Sequence, residues 1–111
     1  MLLVIGFVAF NKPVLAAWHT NLGALNETRA DSVIQPNLNP QIRDAYIQYA
    51  RSEYEQALQI DPYFPNANRR LGNLNVDIGA FAEAVPLLEK AYAAEPNYQA
   101  SVKGLGLAYT W

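Results

Sequence analysis

Between residues 66 and 78 the apolar side chains Leu71, Leu74 and Ile78 recur at helical spacing among polar neighbours, which predicts an amphipathic helix with one buried stripe. Gly79 follows, a residue suited to the left-handed conformation that ends a helix. A second helix is predicted over Phe81–Ala94, with Ala84, Leu87, Leu88, Ala91 and Tyr92 inward. Gly72, Ala84 and Ala91 are small where two helix axes must approach closely. Pro96 and the restricted residue before it, Glu95, stop that helix, and Asn97-Tyr98 turns the chain into the next.

Upstream, helical patterns run from residue 13 to about 33 and over Pro40–Ile60. Asn39-Pro40 reads as an N-cap followed by proline in the first helical position. Residues 35–39 would then be the projecting tip of a tall hairpin; a disordered loop over residues 27–39 is the alternative. Tyr46, Tyr49 and Tyr54 share one long helix and are assigned to core and hairpin packing, with an exposed aromatic patch as the sharper alternative.

Shifting the chain against itself by 34 positions aligns Ala50 with Ala84, Ala57 with Ala91, Pro62 with Pro96 and Phe64 with Tyr98. The same shift aligns Leu71-Gly72 with Leu105-Gly106 and Arg69 with Lys103. With Leu71-Gly72, Gly79-Ala80-Phe81, Glu83-Ala84, Lys90-Ala91 and Glu95-Pro96 in place, residues 65–98 resemble one complete tetratricopeptide repeat. Asn68 and Asn75 depart from that pattern, which usually carries large or aromatic residues there. Residues 99–111 resemble the first helix of a further repeat, and residues 50–62 the second helix of a preceding one. The preceding Leu-Gly pair is Leu22-Gly23, 49 positions before Leu71-Gly72 instead of 34. The 15 extra residues make about four helical turns, two for each helix of a taller first hairpin over residues 13–64. The resemblance implies an all-α fold, with antiparallel hairpins stacked as a right-handed superhelical solenoid.

Residues 1–10 carry nine apolar side chains and one glycine, too short a run to span a membrane alone, since spanning takes about 20 residues. Residues 1–12 are read as the end of a transmembrane helix, with Lys12 and Trp18 at the membrane surface. An extra core helix and a signal peptide are the alternatives, the latter lacking a leading positive charge. At the other end, Val102, Leu105, Leu107, Ala108, Tyr109 and Trp111 make a mostly apolar helix, whereas repeat stacks normally finish on a polar face. The expectation is that the natural chain continues or that two copies pair there. The apolar run, Trp18 and the Asn21-Leu22-Gly23-Ala24-Leu25 helix ahead of repeats resemble the soluble tails of bacterial polytopic membrane proteins of the O-antigen ligase kind. That likeness implies a membrane-associated parent protein of cell-surface glycan assembly, with the repeats in an aqueous compartment on an unassigned side.

A net charge of -2 shows no basic surplus, which argues against nucleic-acid binding. With no cysteine and the single histidine His19, disulfides, thiol nucleophiles and two-histidine metal sites are excluded. His19 has no carboxylate or serine beside it in sequence arranged for relay chemistry and is read as a surface or interfacial residue. Asn26-Glu27-Thr28 fits the glycosylation triplet but falls in a predicted helix and is set aside. No phosphate loop, catalytic carboxylate pair or nucleophile elbow is present, so neither catalysis nor a cofactor is expected.

The tetratricopeptide resemblance implies a concave groove lined by the first helix of each repeat. The residues matching that face are Asn66, Arg69, Asn73 and Asp77, then Lys103 and Leu107. Arg69 and Lys103 form an expected basic ledge for a partner's carboxylate, and Asn73 a hydrogen-bonding group for an extended peptide backbone. Gly104 and Ala100 stand where further clamp residues would be, which leaves two ordinary solvated cations as the alternative. The expected function is therefore a protein–protein interaction scaffold for an acidic protein or peptide. The alternative is a spacer or self-association module of a membrane enzyme, without a peptide ligand.

Overall fold

Prolines open three of the five helices that the described residues form. The computed structural model describes residues 11–31 and 34–110: α1 (Lys12–Ala30), α2 (Pro40–Ile60), α3 (Pro65–Asp77), α4 (Phe81–Ala94) and α5 (Gln99–Thr110), with no strand among them. A proline in the first turn of α1, α2 and α3 takes a position whose N–H has no helical partner in any case. Asn39 caps α2, its Oδ1 accepting from the Gln41 N–H at 2.8 Å. The α4 helix runs through Pro86, which is exposed. Gly79 has φ +82° and separates α3 from α4, as its place in the sequence predicts. The readings for residues 1–10 and for Trp111 lie outside the described residues.

Consecutive helices run antiparallel. His19 meets Glu53 and the Ala30 carbonyl meets Arg43, so the α1 and α2 sequences pair in opposite directions. Alternate helices run parallel instead: Arg69 of α3 lies over Tyr98 just ahead of α5, and further along in the same direction Asn73 of α3 lies against Gly104 of α5. Short turns of three or four residues joining α2 to α3, α3 to α4 and α4 to α5 leave consecutive helices little choice but to fold back.

The core is three small clusters between helices. Ala50 and Tyr54 of α2 pack with Leu71 and Leu74 of α3. Ala16, Ala57 and Ala67 join α1, α2 and α3. Ala84 and Leu88 of α4 pack with Ala108 of α5. Close approach decides which residues sit there: the Tyr54 ring occupies the space a Cβ on Gly23 would need, and Leu88 does the same at Gly72.

The inner face of α1 is unusual in being small and polar: Ala16, Thr20, Gly23, Asn26 and Ala30. Its polar members bond to their own helix, Thr20 Oγ1 donating to the Ala16 carbonyl at 2.7 Å and Asn26 Nδ2 to the Leu22 carbonyl at 2.8 Å.

Several sequence expectations need correction. The first helix ends at Ala30, not near residue 33, because Asp31 is extended and Arg43 Nε donates to the Ala30 carbonyl at 3.0 Å. Arg43 Nη2 also reaches the Gln35 carbonyl at 3.2 Å, so one arginine ties down both sides of the link. Ile78 and Tyr92, expected inward, are exposed: Ile78 lies at the helix end beside Gly79, and the buried stripe of α4 narrows to Ala84, Leu88 and Ala91. Of the three tyrosines, Tyr54 is fully buried, Tyr46 half-buried and Tyr49 exposed. At roughly 100° per residue Tyr49 and Tyr54 fall on opposite sides of Tyr46, about 140° apart, so the three do not stack on one face.

Candidate partner-binding groove

The parallel helices α1 and α3 with the start of α5 border one hollow, and α1, α2 and α3 border a second. The first, about 240 Å3, is lined by Glu27 of α1, Arg69, Arg70 and Asn73 of α3, and Tyr98 and Ala100 at the start of α5. The second, about 300 Å3, shares Glu27 and adds Asp31, Leu74 and Asp77 among its walls. Glu27 is therefore the common wall of both.

Of the six residues assigned to a groove by sequence, Arg69 and Asn73 come together in the first hollow and Asp77 lines the second. The basic ledge does not form as expected. Arg69 stacks on the Tyr98 ring, its guanidinium carbon 3.9 Å from the ring centre, and donates to Asn66 Oδ1 one turn away. Asn66 thus serves to orient Arg69. Lys103 lines a different hollow, with Pro96, Asn97, Gln99 and Val102, that meets the first only at Ala100. Leu107 is exposed on α5. Asn73 is turned toward α5, where its Oδ1 occupies the space a side chain at Gly104 would fill. Gly104 is accordingly the residue that lets α5 close against Asn73.

Glu27, Arg70 and Tyr98 were not identified as site residues from sequence. Tyr54 Oη, reaching across from α2, donates to Glu27 Oε1 at 2.5 Å. Burial holds the Glu27 carboxyl above its usual range; the Tyr54 hydrogen bond and the nearby Arg70 charge pull the other way without cancelling it. The same burial, reinforced by Glu27, raises the Tyr54 hydroxyl. Arg70 Nε is buried and makes no hydrogen bond. Asp77 is also raised by desolvation, although it stands at the exposed last turn of α3. The face thus carries a half-buried acid at its middle, stacked arginine and asparagine on one side, and a second carboxylate on the other. Such a mixture offers donors and acceptors to a peptide backbone.

His19 lies half-buried between α1 and α2. Its Nδ1 lies 2.6 Å from Glu53 Oε2 of α2, a carboxylate 34 positions away that only the fold brings near. The pair lies away from both hollows and fastens α1 to α2. Among the described residues, no cluster of acidic or histidine side chains is arranged to hold a metal ion, and no helix is long and apolar enough to cross a membrane. No family model, curated protein or solved structure matches the chain.

Proposed function

We propose that this chain is a tetratricopeptide-like interaction scaffold, stacked as a right-handed superhelix, whose α1–α3–α5 face holds an extended segment of another protein. The observation that carries this reading is the shared face itself. Glu27 of α1, Arg70 and Asn73 of α3, and Tyr98 just ahead of α5 line one hollow, and a second hollow shares Glu27. A strand-like peptide laid across this surface meets hydrogen-bonding side chains from α1 and α3, and the hollows take its alternate side chains. The 34-residue period and the antiparallel pairs with parallel neighbours support the same architecture. The scaffold acts by binding.

An acidic partner is favoured less than the bare sequence implies, because Arg69 is already stacked and bonded and Glu27 faces it across the hollow. A peptide of mixed charge fits better. Screening a displayed random-peptide library against the chain, then retesting the hits on Ala100→Arg, examines this directly. Arginine at that half-buried position fills the first hollow from the start of α5. Hits that lose binding support the groove; hits that bind both forms equally place the binding surface elsewhere and overturn the proposal.

A further inference from the structure

We propose that the outer face of α1 seats this chain on a lipid bilayer surface, a role separate from the peptide groove. The helix turns its large apolar side chains away from the protein. Val14 is 63% exposed, Leu15 41%, Trp18 61% and Leu25 46%. At roughly 100° per residue these four lie within one side of the helix, with the half-buried Leu22 between them. The opposite side, packed on the protein, has only small or polar residues. This arrangement inverts the usual amphipathic surface helix, which buries its large side chains. Tyr49 of α2 extends the apolar strip across a shallow hollow of about 470 Å3 floored by Leu22, Leu25 and Tyr46. A continuous apolar surface of this kind marks a contact site.

Three observations select lipid as the occupant. First, the run of nine apolar residues and one glycine at positions 1–10 leads directly into this helix, so two apolar stretches follow in series. Secondly, charge is sorted: Glu27 is the only carboxylate of α1, and it lies on the far side beneath the Tyr54 hydroxyl. Lys12 and Arg29 stand exposed at the two ends of the strip, and Glu53 of α2 is bonded to His19. A strip bracketed by cations and clear of α1's only acid complements phosphate headgroups. Thirdly, Trp18 sits midway, and an indole ring is favoured at the headgroup boundary. Trp18 and Glu27 are nine residues apart, about two and a half turns, so a helix lying flat on the bilayer leaves the groove facing water.

Trp18 is its own reporter once Trp111 is replaced by phenylalanine. The full chain with that change is titrated with vesicles of phosphatidylcholine, alone and mixed with phosphatidylglycerol. Trp18 emission is expected to shift to the blue, to be quenched by lipids brominated near the headgroup, and to respond more strongly to the anionic mixture. Arg29→Glu should remove the preference for anionic vesicles. Val14→Ser with Leu25→Ser, with its helix content verified, should partition about tenfold more weakly. Vesicle binding with unchanged Trp18 emission would assign the attachment to residues 1–10 and overturn the proposal. So would a blue shift that appears without lipid as protein concentration rises, since the strip would then be covered by a second copy. Equal partitioning of the folded double-serine variant would also overturn it.

Discussion

Leu88 of α4 packs directly onto Gly72 of α3: a Cβ on that glycine would stand 2.5 Å from Leu88 Cγ and 3.4 Å from its backbone nitrogen. The side chain fills the volume that the glycine leaves, so the two helices approach more closely than any larger residue allows. Gly106, the equivalent one repeat later, has nothing within 4 Å of the same position. The two glycines match by period and differ in what their surroundings demand.

Substitution at the two sites should therefore have opposite signs. Gly72→Val is expected to destabilise the fold by about 3 kcal/mol or more, because Leu88 and the helix spacing must both give way. Gly106→Ala should raise stability by up to about 1 kcal/mol through helix propensity. Urea unfolding followed by circular dichroism measures both.

This pair also explains how much was legible in the sequence. Helix spans over Pro40–Ile60 and Phe81–Ala94 follow from periodicity, proline placement and Gly79, because those signals act locally along the chain. What escaped depends on pairing across helices. Nothing beside His19 in sequence announces Glu53, and nothing beside Glu27 announces Tyr54, until α1 and α2 lie against each other. Arg69 was legible as a groove cation, but its stack on Tyr98 was not, since that contact spans the α4 helix. The large outward side chains of α1 were visible as residues, while their direction depended on Gly23 meeting Tyr54 on the other side.

Asn68 departs from the repeat pattern for an identifiable reason. It is buried on α3, and its Nδ2 donates to the Pro62 carbonyl at 3.1 Å, holding the turn between α2 and α3. Asn68→Ala should leave that carbonyl without its side-chain donor and open a small void, costing about 1–3 kcal/mol. Hydrogen exchange should quicken at Phe64 and Asn68, whose N–H groups close this turn, more than at the α4–α5 turn.

Arg69 and Lys103 should not act as one unit. Arg69 is stacked on Tyr98 and bonded to Asn66, whereas Lys103 lines a separate hollow. Arg69→Lys keeps the charge but loses the planar stack, and is expected to cost roughly 0.5–1 kcal/mol of stability. Lys103→Glu should leave stability within about 0.5 kcal/mol of wild type. For a groove-bound peptide, the effects of Arg69→Glu and Lys103→Glu should add. A coupling energy above about 0.5 kcal/mol in a double-mutant cycle would restore the ledge that the separate hollows argue against.

Glu27 supplies a pH dependence of defined sign. Its folded carboxyl is raised above its ordinary value of 4.5, mainly by burial, so at a pH between the two values the folded chain holds a proton that the unfolded chain has released. Between 4.5 and that raised value the folded state binds more protons, and this residue's contribution to stability falls as pH rises. Below the window both states are protonated and the contribution no longer changes. Glutamine in this position keeps an oxygen to accept from Tyr54 Oη and carries no charge to desolvate. Glu27→Gln should therefore be more stable than wild type at neutral pH, with the difference shrinking as pH approaches 4.5. Urea midpoints for the two proteins across that range decide the point. A variant less stable at neutral pH would mean that Arg70 and the Tyr54 hydrogen bond outweigh burial, and that Glu27 fastens α1 to α3 as an anion.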